Sequence, residues 1–98
     1  MNRSEAISLA LQLFDAEIQR RKVPPEQIEQ VMEAIHDLKS GKVSSIVMQV
    51  LEMRANWWTE KAVEFNPNLQ EDSDLNQGFA EFCNTFANHH NSIRETLQ

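Results

Sequence analysis

The sequence predicts an all-α fold, a small helical bundle of about four helices with a long C-terminal helix, and three observations carry that prediction. Apolar residues recur at spacings of three and four in four separate stretches. No stretch alternates apolar and polar residues as a half-buried strand does. The three prolines, with Gly41, fall at the edges of those stretches, where they punctuate helices. The predicted helices span residues 5–22, 25–40, 44–65 and 74–97, within a single domain over 1–98.

In the first helix Ser4 serves as the N-cap and Glu5 follows in the first turn, where the helix dipole favours an acid. Ile7, Leu11, Phe14 and Ile18 form its apolar stripe, with Leu9 and Leu13 widening that face. Arg20, Arg21 and Lys22 close it, since cations suit a helix C-terminus. Pro24-Pro25 then breaks the chain, and Pro25 fits the first turn of the second helix with Glu26 beside it. Ile28, Val31, Met32, Ile35 and Leu38 make that helix's stripe, and Gly41 stops it after Lys39.

Ser44 or Ser45 starts the third helix, which ends at Phe65 because Asn66 precedes Pro67. Its apolar side, from Ile46 and Val47 through Trp57 and Trp58 to Ala62, is wider than one neighbour needs, so it should touch at least two elements. The polar run after Pro67 is a loop, and Asp72 or Ser73 caps the last helix. There Leu75, Phe79, Phe82, Phe86, His89 and Ile93 follow a near-heptad seam. Gly78 near its start costs roughly 1 kcal/mol against Ala, which points to a close approach.

Charge and composition narrow the function. The 98 residues carry 15 Asp and Glu against 9 Lys and Arg, a net charge of −6 with a pI near 4.9. That acidity disfavours direct nucleic-acid binding. One cysteine, Cys83, cannot build a disulfide framework. The apolar stretch from Ala6 to Phe14 is interrupted by Gln12 and is no export signal, and no run approaches the ~20 residues of a membrane span. The expectation is a cytoplasmic protein that engages no membrane. A domain of this size buries only ~60–65% of its unfolded surface, so a partner or a second copy adds usefully to its stability.

No motif for catalysis, metal or cofactor emerges. Cys83 and His90 stand seven positions apart, about 10 Å along a helix, too far for one metal with bonds near 2 Å. His89 and His90 project roughly 100° apart. Asp72, Asp74 and Asn76 match the start of a calcium loop, but Gln77 stands where Gly belongs and Cys83 where Glu belongs. A pocket gathering His36, Cys83, His89 or His90 with acids is the enzyme alternative that helical wheels leave open.

Three features are candidates for binding. Arg54 falls inside the apolar face of the third helix, so either its head reaches an acid within the fold or it forms a contact patch with Trp57 and Trp58. The seam from Leu75 to Ile93 is either bundle packing or a dimer interface, with His89 as a pH-sensitive element within it. The acids Glu71, Asp72 and Asp74 belong to a stretch, 62–93, without a single Lys or Arg, either a solvated face or a docking surface for a basic partner. Together these predict a non-catalytic protein-interaction module, a self-associating regulator or adaptor that works as a homodimer. The alternative is an acidic inhibitor, of the immunity or nucleic-acid-mimic kind, that blocks a basic partner.

Overall fold

The computed structural model describes the backbone of residues 1–64 and 73–98 and the side chains of 1–64 and 78–98. Four helices follow one another: α1 (Arg3–Gln19), α2 (Pro25–Lys39), α3 (Ser45–Glu64) and α4 (Ser73–Leu97). At 25 residues α4 is the longest. No strand occurs among the described residues. The helix ends lie within three residues of those predicted, and the end of α1 moves most.

α1 begins earlier than Ser4 because Asn2, not Ser4, caps it. The Asn2 side-chain oxygen accepts from the Glu5 backbone N–H at 2.8 Å, and its amide donates to the Glu5 carboxylate at 3.0 Å. This reciprocal pair satisfies an orphan donor and holds an acid in the first turn. At the other end the helix stops at Gln19, so the basic triplet lies in the cap and turn beyond it rather than in its last turn.

α1 and α2 end in the same way. After α1, the Arg21 N–H donates to the Ile18 carbonyl at 3.0 Å and the Lys22 N–H to the Glu17 carbonyl at 2.8 Å. After α2, the Gly41 N–H donates to Leu38 and the Lys42 N–H to Asp37, both at 2.9 Å. Both are Schellman closures, which put one residue in the left-handed region. After α2 that residue is Gly41, at φ 76°, and after α1 it is Arg21, at φ 57°. A side chain there costs of order 1–2 kcal/mol that glycine avoids.

The main core joins all four helices. α1 contributes Ala6, Ala10 and Phe14, α2 Val31, Ile35 and Leu38, α3 Val47, Val50 and Leu51, and α4 Ile93 and Leu97. The buried faces of α1 and α4 are turned by about one residue from the predicted stripes. In α1, Ile7, Leu11 and Ile18 only flank the core that Ala6 and Ala10 enter. In α2, Ile28 and Met32 are 43% and 51% exposed while Ala34 is fully buried. Ala6, Ala10 and Ala34 thus share the covered faces with large residues such as Phe14 and Leu38.

α3 does touch more than one element: it packs mainly on α4 and also on α2. Beyond Arg54 it runs on to Glu64, ten residues or about 15 Å, and Trp58 within this part still bonds to Glu17 near the end of α1. In this far part of α3, the overhang, a second, smaller core among the described residues forms from α3 and α4: Trp58 and Ala62 against Cys83 and Ala87. Gly78 lies on the α4 side of the same region, and a Cβ there would meet nothing within 4 Å among the described residues.

The two matched closures give a paired prediction. Gly41→Ala should lower the unfolding free energy by roughly 1 kcal/mol through backbone strain alone, since the added methyl meets open space. Arg21→Gly should raise the urea midpoint, because it relieves the same strain. Equilibrium urea unfolding of both variants reads the opposite signs.

Candidate functional site

Arg54 settles inside the fold. Its side chain is 0% exposed, and three neighbours meet its guanidinium. Nη1 donates to Gln27 Oε1 at 2.8 Å, and Nη2 donates to the Lys22 backbone carbonyl at 2.7 Å. Nε lies 3.5 Å from Glu17 Oε2, a charge contact rather than an aligned hydrogen bond. The head therefore reaches an acid, as one sequence reading had it, but without emerging into solvent.

Glu17, buried at the end of α1, is the shared acceptor. The Trp58 indole N–H donates to Glu17 Oε1, and His90 Nε2 stands 2.8 Å from the same oxygen. His90 Nδ1 lies 2.6 Å from the Phe86 carbonyl, where it must donate, because a carbonyl only accepts. Glu17 thus joins α1 to α3 through Arg54 and Trp58, and to α4 through His90. Burial pushes the Glu17 carboxyl upward. His90, the Arg54 charge and the Trp58 donor together outweigh that and hold it below the usual carboxylate range. Burial likewise lowers Arg54 from its ordinary value against the pull of Glu17, and a guanidinium stays charged regardless.

This buried cluster fixes the aromatic side chains above it. Trp58 is pinned at its nitrogen, and its ring stacks at a tilt on Phe86, centroids 4.8 Å apart. Trp57 meets Trp58 edge-on at 4.9 Å and 89°. Its other contacts are cationic, with Arg54 Cζ 4.5 Å and Lys61 Nζ 5.2 Å from the ring centroid. Beyond them Phe82 and Phe79 stand 46% and 45% exposed.

Between these rings and the turn after α1 lies a trough of about 910 Å³. Trp57, Trp58, Phe79 and Phe82 form its aromatic wall, with Cys83 at its base. Arg21, Lys22 and Lys61 stand on its rim together with Glu64. Lys61 Nζ and Glu64 are paired at 3.1 Å, so the described rim residues carry a net positive charge although the chain is acidic. Burial raises the Cys83 thiol, with smaller opposed effects of Lys22, Glu64 and Lys61, so at neutral pH it is a thiol and not a nucleophilic thiolate.

The predicted binding residues separate accordingly. Of the Arg54, Trp57 and Trp58 patch, Arg54 and Trp58 are core, and only Trp57 reaches the surface. Of the α4 seam, Phe79, Phe82 and His89 are exposed, Phe86 is half-buried and Ile93 enters the main core. His90, not His89, is the buried histidine, and Cys83, Ala87, His90 and Ile93 line the covered face. Glu71 and Asp72 lie outside the described residues, as do the side chains of Asp74 and Leu75. Among the described residues no three His, Cys, Asp or Glu side chains gather as metal ligands. Glu17 was missed from the sequence because a lone acid in an amphipathic helix reads as surface. Its position in register with Ala6, Ala10 and Phe14 is the signal that places it inward.

No protein-family model, curated protein or solved structure matches this chain.

The buried pair makes a thermodynamic prediction. Arg54→Met or Glu17→Leu alone leaves one buried charge uncompensated and should cost about 3–5 kcal/mol, whereas the double variant should recover most of that loss. Because folding lowers the Glu17 value, its contribution is full above the ordinary value of about 4.3 and fades as pH falls through the folded one. The melting temperature should therefore drop on acidification below about pH 4.3, and the double variant should show a shallower drop. Denaturant titrations and thermal melts across pH 3–7 check both.

Proposed function

We propose that this chain is a non-catalytic protein-interaction module, a small cytoplasmic regulator or adaptor, and that the trough at the α3–α4 overhang is its working surface. One observation carries the reading: two phenylalanines, Phe79 and Phe82, nearly half exposed, beside a tryptophan pair held rigidly from beneath. A folded chain rarely leaves such a cluster open without a use for it, and aromatic residues are enriched where partners dock. The partner is a protein segment offering apolar side chains to the rings and acidic groups to Arg21, Lys22 and Lys61.

A second copy fits this trough less well. A two-fold interface across it would bring the same cations from each copy together, which is repulsive. Self-association, if it operates, is better sought on another face. The inhibitor alternative rests on Glu71, Asp72 and Asp74, and its support is their sequence pattern alone. The lone Cys83 suits a reducing compartment, and among the described residues no helix is long and apolar enough to cross a membrane.

Site-specific photo-cross-linking in the native cell tests the reading. A photoreactive phenylalanine analogue at Phe82 should give a discrete protein adduct, and the same analogue at Met32, exposed on α2, should not. Absence of an adduct at 82, or identical adducts at both positions, would remove the trough as the working surface.

A further inference from the structure

The overhang is an incomplete layer. Among the described residues its small core, Trp58 and Ala62 against Cys83 and Ala87, draws apolar side chains from two helices, whereas the main core draws them from four. Packed layers in helical proteins cover both sides of such a seam, and here α1 ends at Gln19, where the trough begins. The space continues from the end of α1 and is bounded by two helices, so it has the form of a groove that receives a third.

Resting on the interaction-module reading, we propose that the trough takes a short amphipathic helix with acidic side chains along its flank. Along α3 the wall from Trp57 to Glu64 is seven residues, about 10 Å, which matches about two turns of a helix and so its i to i+7 span. Apolar anchors at i, i+3, i+4 and i+7 meet Trp57, Phe79 and Phe82. Gly78, which also lines the trough, presents no side chain, and a Cβ there would meet none of the described residues within 4 Å, so an incoming backbone can approach closely.

The sign of the flank comes from the rim. Arg21 and Lys22 sit together at the α1 end, and Lys61 stands across from them on α3. Glu64 offsets only Lys61, to which it is paired. Among the described lining residues two cations, Arg21 and Lys22, are left to meet carboxylates on the incoming helix. The backbone at Arg21 adds an independent reason. This residue holds a left-handed conformation that Gly41 adopts without strain in the matching turn. Strained positions concentrate where a side chain has a task, and an arginine aimed into the groove supplies one.

The probe is a synthetic stapled peptide of about 12 residues, helical by construction, with Leu at i, i+3, i+4 and i+7 and Glu at the flanking positions. A second peptide has Lys in place of each Glu. Titration is read by the fluorescence of the two tryptophans, Trp57 and Trp58. The acidic peptide should saturate the signal, and the Lys peptide should bind about tenfold or more weakly. The double variant Lys22→Glu with Lys61→Glu should reverse that order, and Phe82→Asp should abolish binding with the helical circular dichroism retained. Should Phe82→Asp unfold, Phe82→Ser repeats that arm, and the charge reversal stands without either. Equal affinity for the two peptides would overturn the proposal, as would binding of the acidic peptide unaffected by charge reversal. A dimer at micromolar concentration that Phe82→Asp converts to monomer would assign the trough to a second copy instead. If Phe82 cross-links a protein in cells but the acidic peptide fails to bind, the interaction reading stands and the acidic helix falls; if both fail, both fall.

Discussion

Everything else in this structure depends on one buried carboxylate. Glu17 sits at the end of α1 with almost no exposure, and it is tolerated there because Arg54, Trp58 and His90 surround it. Isolated, a carboxylate in that position would cost several kcal/mol. Paired, it sets the positions of three helices, since Arg54 and Trp58 belong to α3 and His90 to α4. Arg54 extends the arrangement to the start of α2 through Gln27 and to the connecting turn through the Lys22 carbonyl. Replacing such a cluster with packed apolar residues is often neutral for stability. What it supplies here is geometry: a single hydrogen-bonding solution selects how α1, α3 and α4 meet.

The surface above inherits that geometry. Trp58 is anchored at its indole nitrogen and cannot turn without breaking its bond to Glu17. Phe86 packs on its ring, Phe82 packs on Phe86 at 4.7 Å, and Trp57 meets its edge. The exposed rings are thus supported from below rather than left as loose surface hydrophobes. Rigid aromatic surfaces lose little conformational entropy when covered, which favours tight contact over a small area. The turn after α1 is held by the same cluster, because Arg54 grips the Lys22 carbonyl. The backbone that carries the rim cations Arg21 and Lys22 is therefore held next to the rings.

Much of the fold was legible from residue spacing, and the misreadings share a cause. All four helices and their breaks follow from Pro24, Pro25, Gly41 and the apolar periods. The stripes were assigned by the largest apolar residues, and that rule placed the centre of a face one position off. On α1 it favoured Ile7 and Leu11 over Ala6 and Ala10, and on α4 it favoured Phe79, Phe82 and His89 over Cys83, Ala87 and His90. Close helix contacts select small residues at the centre and put large ones on the shoulders. Arg54 was identified as the residue needing explanation because a charge within an apolar face is costly wherever it occurs. Its partner was not, because Glu17 lies 37 positions away in sequence and helical wheels carry no information between helices.

Charge shows the same difference between a total and an arrangement. The chain carries −6, and the stretch from 62 to 93 holds no Lys or Arg, which on the sequence alone reads as a solvated face or as a docking surface for a basic partner. Folding brings Arg21 and Lys22 from the end of α1, and Lys61 from α3, to the mouth of a trough whose α4 wall belongs to that acidic stretch. At physiological ionic strength charges are screened over about 8 Å, so a segment entering the trough experiences chiefly the charges that line it, which among the described residues are Arg21, Lys22, Lys61 and Glu64. Net charge then acts on encounter, slightly disfavouring an acidic partner at long range, while the rim acts at contact. The two have opposite signs here, which makes contact geometry rather than long-range attraction the basis of selection. An acidic segment without the apolar face gains too little to enter, and an apolar segment without acids leaves the rim cations unmatched.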